Sequence, residues 1–161
     1  MSTIPDIFSR PGCKLCSVGG RIYLVGGRDG RKVTEYNPGT NVWKNMPSLQ
    51  KRRSAHHSVC AVDNKIFAVS GAGEDTTCEM LDLSDDEPQW KYIANMNSNH
   101  KGGGLVEVDG KIYAIGGYRN SSVEAYDAKI GIFCLKNESL IDRFYNTVNR
   151  DFKVLCACFF R

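Results

Sequence analysis

The sequence lacks an excess of charge of either sign. Its 21 Lys and Arg residues against 18 Asp and Glu leave a formal net charge of +3. The densest basic cluster is Lys51-Arg52-Arg53, which is too short for the basic stripe that nucleic-acid binding requires. The sequence therefore indicates no nucleic-acid partner.

Long apolar runs are missing as well, and we expect no secretory leader. The longest apolar stretch, 154–160, is far below the roughly 18 residues that a membrane span needs. The first residues, "MSTIPD", have neither the basic head nor the apolar core of a signal peptide. The missing apolar span predicts no membrane partner. The seven cysteines are odd in number and irregularly spaced, so we expect free thiols and a reducing cytoplasmic location.

The sequence contains one nine-residue motif three times. The copies are "GGRIYLVGG" (19–27), "DNKIFAVSG" (63–71) and "DGKIYAIGG" (109–117). Their final glycines are 44 and 46 residues apart. A strand-like segment precedes each copy, and two more follow it, the last of which begins at or near Trp43, Trp90 or Phe133. Each unit therefore reads as four short strands with turn residues between them.

The glycine-ended strand is apolar on both of its alternating faces, as in Ile112, Tyr113, Ala114 and Ile115. A strand covered on both faces is buried between layers, so each small sheet needs a neighbour on either side. Stacked four-stranded sheets with this period indicate a β-propeller. We predict an all-β fold of three four-stranded blades that form an incomplete propeller, with Trp43, Trp90 and Phe133 as wedges between blades.

The segment "DGKIYAIGGYRNSSVEAYDAK" (109–129) resembles the kelch repeat of the kelch-like protein family. The other copies depart from the pattern, as where Ser70 replaces a glycine and Leu81 replaces a tyrosine. No Trp-Asp dipeptide marks the other common propeller repeat of similar length. The predicted organisation is a lead-in over 1–12, repeats over 13–54, 55–101 and 102–135, and a divergent tail over 136–161.

Three blades are fewer than the roughly four to eight of a closed propeller. We expect the chain to be a fragment or truncated form of a longer kelch protein. Two alternatives stay open: a half-propeller that dimerises into a six-blade ring, and an arc that closes on a partner chain. The end of the tail, 154–160, has the pattern of the first strand of a fourth blade.

Three motifs suggest chemistry but do not meet its requirements. Cys13 and Cys16 stand three apart on a predicted strand, so their sulfurs face opposite sides. The adjacent His56 and His57 diverge for a similar reason. The triplet 102–104 lacks the strand–glycine–helix context and the Lys-Ser/Thr of a phosphate-binding loop. We expect no metal, no cofactor and no catalytic residues, and hence no enzyme.

The resemblance implies that the chain binds through loops at one rim of the propeller. Arg53-Ser54 matches the place where kelch-type ubiquitin-ligase adaptors carry an arginine that grips acidic peptide segments; Arg10 and His100 align with Arg53 in the other repeats. A planar guanidinium suits this role because it pairs with a carboxylate through two hydrogen bonds. The predicted ligand-binding residues are Arg28, Arg52, Arg53, Ser54, Tyr118, Arg119 and Asn120.

These features predict a protein–protein interaction module, the substrate-recognition part of a cullin-type ubiquitin-ligase adaptor. In such adaptors an upstream BTB domain recruits the ligase. Twelve residues precede the first repeat, so we expect this chain to bind its target but to need a missing BTB domain for ligase contact. The alternatives are an actin-binding cytoskeletal scaffold and, from another class, a kelch-type copper oxidase.

Overall fold

The structure is a computed structural model that describes residues 10–72, 75–127 and 131–135. These residues form twelve β-strands in three four-stranded antiparallel sheets, which confirms the predicted all-β fold. The strands are β1 Cys13–Val18, β2 Arg21–Gly26, β3 Val33–Asn37, β4 Val42–Met46, β5 Ser58–Val62, β6 Lys65–Val69, β7 Cys78–Asp82, β8 Trp90–Ile93, β9 Gly104–Val108, β10 Lys111–Ile115, β11 Val123–Asp127 and β12 Ile132–Leu135.

Each sheet is a meander in which neighbours in sequence are neighbours in space. Blade 1 has the order β1-β2-β3-β4, blade 2 the order β5-β6-β7-β8, and blade 3 the order β9-β10-β11-β12. The first hairpin of blade 1 turns at Gly19 and Gly20, with φ angles of 55° and 74°. Asp109 and Gly110 turn the first hairpin of blade 3 with φ angles of 51° and 72°. Two consecutive positive φ angles match the twist of the strands that such a turn joins.

The blades pack face to face through two apolar clusters. Between blades 1 and 2, Tyr23 and Val25 pack with Ile66, Leu81 and Trp90. The matching cluster between blades 2 and 3 joins Phe67, Val69 and Cys78 to Ile112, Ala114, Tyr126 and Phe133. Trp90 and Phe133 are buried in these clusters, which confirms the predicted wedge at these two positions. Burying such a side chain stabilises the stack by roughly 2–3 kcal/mol.

The innermost strands β1, β5 and β9 lie side by side, since β5 contacts both of the others. Gly103, just before β9, packs closely against the end of β10 in its own blade: a Cβ there would stand 2.6 Å from the carbonyl oxygens of Ile115 and Gly116. Within the glycine triplet 102–104, Gly103 thus has a packing role. Of the described residues, no fourth sheet covers the outer faces of blades 1 and 3.

The rim, as the term is used below, is the end of the blades where β2, β6 and β10 finish. It carries the loops that follow these strands and the connectors 47–57 and 94–103, which lead from one blade to the next. No helix among the described residues is long and apolar enough to cross a membrane. The predicted fourth-blade strand at 154–160, the rest of the tail from 136 onward and residues 1–9 of the lead-in lie outside the described residues.

Candidate functional site: the rim loops

Arg53 lies inside blade 2 with no exposed surface. Its Nε and Nη2 donate to Glu79 Oε1 at 3.1 and 3.0 Å. Nη1 donates to the Ser70 carbonyl oxygen and stands 3.5 Å from Asp75 Oδ2, while Nη2 also donates to Thr77 Oγ1 at 3.3 Å. All three guanidinium nitrogens therefore have partners within the blade, whereas the sequence suggested that they point to the rim. The contact of Arg53 with an external ligand stays a prediction.

Glu79 also holds the connector that carries Arg53. Its carboxylate accepts the backbone N–H groups of Gln50 at 2.5 Å and Lys51 at 3.1 Å. Arg53 and Glu79 are fully buried, and a buried carboxylate is tolerated when cations and hydrogen-bond donors surround it. This cluster fixes the course of residues 50–53 over the top of the blade.

Blade 3 repeats the arrangement with a histidine in place of the arginine. The ring of His100 places Nδ1 2.7 Å from the Gly116 carbonyl oxygen and Nε2 3.1 Å from Glu124 Oε1. Glu124 accepts the backbone N–H groups of Asn97 and Ser98, both at 2.7 Å. The alignment of His100 with Arg53 in the sequence therefore corresponds to the same place in the fold.

The carboxyl groups of Asp75 and Glu124 are held in their charged form. Burial raises the pKa of each, but hydrogen bonds outweigh it and leave both pKa values below the ordinary range. The donors are Thr77 and Lys51 for Asp75, and Asn97, Ser98 and His100 for Glu124. Both carboxylates are thus structural anchors that need no external cation at neutral pH.

The exposed cations of blade 1 gather beside the connector. Arg28, Arg31 and Arg52 all have exposed side chains, and Arg52 Nη2 donates to the Arg28 carbonyl oxygen at 3.3 Å. Gly30 makes room for this contact, because a Cβ there would meet Arg52 Cγ at 2.5 Å. The structure therefore brings together two of the predicted ligand residues, Arg28 and Arg52. We call Arg28, Arg31 and Arg52 the blade 1 cluster.

A second exposed group stands on the rim of blade 3. The Tyr118 side chain is 67% exposed, with Arg119 5.2 Å and Lys101 5.9 Å from the centre of its ring. Both distances are within the range in which a cation is attracted to the face of an aromatic ring. We call Tyr118, Arg119 and Lys101 the blade 3 cluster.

The remaining predicted residues support the loops. Asn120 donates from Nδ2 to the Asn99 carbonyl oxygen at 2.9 Å, and its Oδ1 accepts the Ser122 backbone N–H at 2.8 Å. Ser54 is half-buried in the connector. This connector joins both rim clusters, since the Gly27 N–H donates to the Arg53 carbonyl oxygen at 3.0 Å and the Gly102 N–H to that of His56 at 2.9 Å.

His57, which sequence reasoning considered with His56 and rejected as a site of chemistry, is a structural residue of the rim. It is fully buried, and its Nε2 stands 3.1 Å from the Val25 carbonyl oxygen of blade 1. Burial lowers the pKa of His57 to about 4, against a smaller opposing effect of the Val25 carbonyl and with help from the charges of Arg53 and Lys14. His57 is therefore a neutral bridge between blades 1 and 2 at physiological pH.

Three thiols of the described strands, those of Cys16, Cys60 and Cys78, are unreactive because burial keeps them protonated. Burial raises the pKa values of Cys16, Cys60 and Cys78 to about 12 in each case. Such thiols stay protonated, and the thiolate is the reactive form. Within the described ranges, no group of three or more His, Cys, Asp and Glu side chains is placed to hold a metal ion.

Three stacked four-stranded meanders with loops gathered at one rim define this protein as a β-propeller of the repeat type. The kelch motif matches residues 9–50, 53–97 and 100–134. The chain belongs to the kelch-repeat family, and its fold and family make it a protein-interaction module.

Curated relatives are kelch-like proteins. Kelch-like protein 15 of Danio rerio is 31% identical over 130 residues, which cover 73% of this chain and 21% of the relative. Human kelch-like protein 23 is 32% identical over 123 residues, covering 66% and 20%, and human kelch-like protein 24 is 32% identical over 97 residues, covering 58% and 16%. The match with this chain thus spans about a fifth or less of these relatives.

Proposed function

We propose that the rim binds an acidic segment of a partner protein, and that the two exposed clusters make the contact. One observation carries this proposal: connector 47–57 is hydrogen-bonded through Arg53 to the loop of the blade 1 cluster and through His56 to Gly102 beside the blade 3 cluster, and both clusters are basic. Their five cations are Arg28, Arg31, Arg52, Lys101 and Arg119. Arginine forks favour carboxylate partners, and Tyr118 adds an exposed aromatic surface of the kind enriched in protein interfaces.

In this proposal Arg53 is a buried residue that positions the connector. Its bonds to Glu79 and Ser70 hold the connector in place, so that Arg52 and Ser54 are presented on either side of it. Asn120 acts similarly in blade 3, since it ties the loop that carries Tyr118 and Arg119 to Asn99. Direct ligand contacts then fall to Arg28, Arg52, Tyr118 and Arg119.

At the level of the cell, the proposal is that the chain recognises substrates for a cullin-type ubiquitin ligase in the cytoplasm and is not an enzyme. The support is the kelch motif and the similarity to kelch-like proteins. In this proposal ligase contact is made through a BTB domain, which the matched residues do not include.

The test is binding of a blocked twelve-residue peptide with four glutamates, measured by calorimetry against the same peptide with glutamines. We expect the glutamate peptide to bind more tightly and its affinity to fall as salt rises, because exposed charges are screened. The double variant Arg28→Ser/Arg52→Ser should weaken binding about tenfold, since two exposed ion pairs are lost.

The matched control is Lys44→Ser/Lys91→Ser, which removes two exposed cations from the outer strands β4 and β8. This variant has the same net charge as the rim variant and should keep the affinity of the parent chain. Equal losses in both variants would mean that overall charge, rather than the rim, attracts the peptide. Binding to actin filaments that the rim variant leaves unchanged would favour the scaffold alternative.

A further inference from the structure

A cleft of about 260 Å³ lies between blades 1 and 2, at the end of the blades opposite the rim. Side chains of both blades line it, among them Val18, Arg21, Tyr23, Glu35, Asn64 and Leu83. Its volume is slightly below the roughly 300–1,000 Å³ of pockets that hold drug-sized ligands. This cleft, which we call the first cleft, therefore suits a smaller molecule.

The equivalent cleft between blades 2 and 3, which we call the second cleft, has a volume of about 90 Å³. Phe67 lines it at the position that Tyr23 occupies in the repeated motif. In the sheets Tyr23 pairs with Glu35, whereas Phe67 pairs with Met80. Repetition of the blade therefore does not account for the hydroxyl and the carboxylate of the first cleft, since both positions are apolar in the next blade.

Two opposite charges meet in the first cleft. Arg21 Nη1 donates to Glu35 Oε1 at 3.3 Å, and the Tyr23 hydroxyl donates to Glu35 Oε2 at 3.1 Å. Burial and the nearby Glu35 carboxylate raise the pKa of Tyr23 to about 12, so the hydroxyl keeps the proton that it donates. The carboxylate of Glu35 is thus held in place, with one donor on each of its oxygens.

The polar groups of the first cleft keep hydrogen-bonding capacity. The carboxylate of Glu35 has about four acceptor sites and receives two donors. Among the described residues, Glu35 is the one hydrogen-bond partner of the Arg21 side chain, so further N–H groups of the guanidinium are open to a ligand. Asn64 donates from Nδ2 to Ser84 Oγ at 3.3 Å, and its amide oxygen is another acceptor. In the second cleft Gly110, which has no side chain, occupies the position of Asn64.

We propose that the first cleft binds a free α-amino acid. The ammonium group of the ligand binds the Glu35 carboxylate, with the Asn64 amide oxygen as a second acceptor, and its carboxylate binds the guanidinium of Arg21. Such charged hydrogen bonds are the strong ones in proteins. Val18 and Leu83 give the side chain of the ligand an apolar contact. This site lies at the other end of the blades from the rim clusters and uses none of their cations.

The balance of charge in the first cleft argues for a zwitterion over a ligand with a single charge. A lysine or arginine of a partner protein would pair with Glu35 but would stand beside the like charge of Arg21. An acidic side chain would pair with Arg21 and be repelled by Glu35. An α-amino acid meets both charges favourably, because its ammonium and carboxylate groups are attached to one carbon atom and the two protein charges are in contact.

The experiment measures binding of L-leucine to the full chain by saturation-transfer NMR, which detects weakly bound small molecules. Two analogues test the two charges of the ligand separately: N-acetyl-leucine lacks the ammonium group, and leucine amide lacks the carboxylate. We expect a saturable signal from L-leucine. Each analogue should bind about tenfold more weakly, because each loses one charged hydrogen bond in a partly exposed site. This series uses the unaltered chain, so it does not depend on the folding of a variant.

Glu35→Gln is the decisive variant, because it removes the charge that the ammonium group needs and keeps an acceptor for the Tyr23 hydroxyl. We expect it to weaken binding of L-leucine about tenfold. The matched control is Asp82→Asn, which breaks an ion pair with Lys65 of the second cleft. The side chains of this pair are 40% and 19% exposed, against 43% for Arg21 and 15% for Glu35. The control should bind L-leucine like the parent chain.

A double variant gives the first cleft the side chains of the second. Tyr23→Phe/Glu35→Met places a phenylalanine and a methionine where blade 2 has them, so we expect it to fold and to show no saturable binding of L-leucine. The rim variant Arg28→Ser/Arg52→Ser should bind L-leucine like the parent chain. This result separates the cleft from the rim site proposed above, since each site is then lost without the other.

Three results would overturn the proposal. One is the absence of a saturable signal from L-leucine with the parent chain. Another is an analogue that binds as tightly as L-leucine, since a single charge would then be enough for binding. The third is a Glu35→Gln variant that binds L-leucine no more weakly than Asp82→Asn does, since the Glu35 carboxylate would then have no particular part in binding.

Discussion

Blades 1 and 2 have the same order of four antiparallel strands, yet they handle buried charge differently. In blade 2 the cation of Arg53 meets the carboxylate of Glu79, and the pair also fixes the connector above it. In blade 1 Thr34 stands at the register position of Glu79, and the buried Arg10 donates to the Leu24 carbonyl oxygen, with no carboxylate partner among the described residues. The repeat therefore specifies the backbone of a blade, while one side chain on the third strand decides whether the buried cation has a carboxylate partner.

Making blade 2 resemble blade 1 should have the largest effect. Glu79→Gln removes the charge that Arg53 needs and should destabilise the protein by about 3–5 kcal/mol, because a buried cation is left unpaired. Denaturant unfolding measures the loss. Asp85→Asn, which breaks the exposed pair with Lys91, is the control and should cost at most about 0.5 kcal/mol. Equal losses would contradict the distinction between buried and exposed pairs.

The contact that His57 makes between blades 1 and 2 should stabilise the protein less in mild acid. The pKa of His57 is lowered to about 4 in the folded state, so the unfolded chain takes up the proton first. Above about pH 6.5 His57 is neutral in both states and does not alter the free energy of unfolding. As the pH falls toward 4, protonation of the unfolded chain lowers the free energy of unfolding by on the order of 3 kcal/mol in all.

Unfolding measured across this range checks the prediction, with His57→Gln and His56→Asn as the pair of variants. Glutamine retains a neutral amide that is able to reach the Val25 carbonyl, so the dependence on pH should flatten. His56 is exposed, with a φ angle of 59° that asparagine tolerates, and its replacement should keep the dependence. A slope that His57→Gln leaves unaltered would assign the effect to another group.

The two tryptophans should show the smallest difference between the blades. Trp90→Phe loses the bond to Pro47 and should cost about 1 kcal/mol more than Trp43→Phe, whose N–H has no partner to lose. Paired thermal melts of the two variants give this difference. If Trp43→Phe were the more destabilising, the indole of Trp43 would have an acceptor in solution.

Much of the fold could be predicted from local pattern. The apolar strands that end in glycine, the two-residue turns and the wedge residues Trp90 and Phe133 all follow from periodicity and turn chemistry. The predicted rim was found at one end of the blades, with Arg28 and Arg52 in contact. The position of Arg53 could not be predicted in this way, because its partner Glu79 is 26 residues away and lies on another strand.

The sequence by itself determined that three copies of a four-strand unit stack as kelch blades, because the apolar faces of each unit need cover on both sides. Only the tertiary structure decided which cations point inward. Arg10, Arg28, Arg52 and Arg53 are the same residue type, but two are buried and two are exposed. Burial depends on the groups that neighbouring strands bring within hydrogen-bond distance, and those strands are distant in sequence.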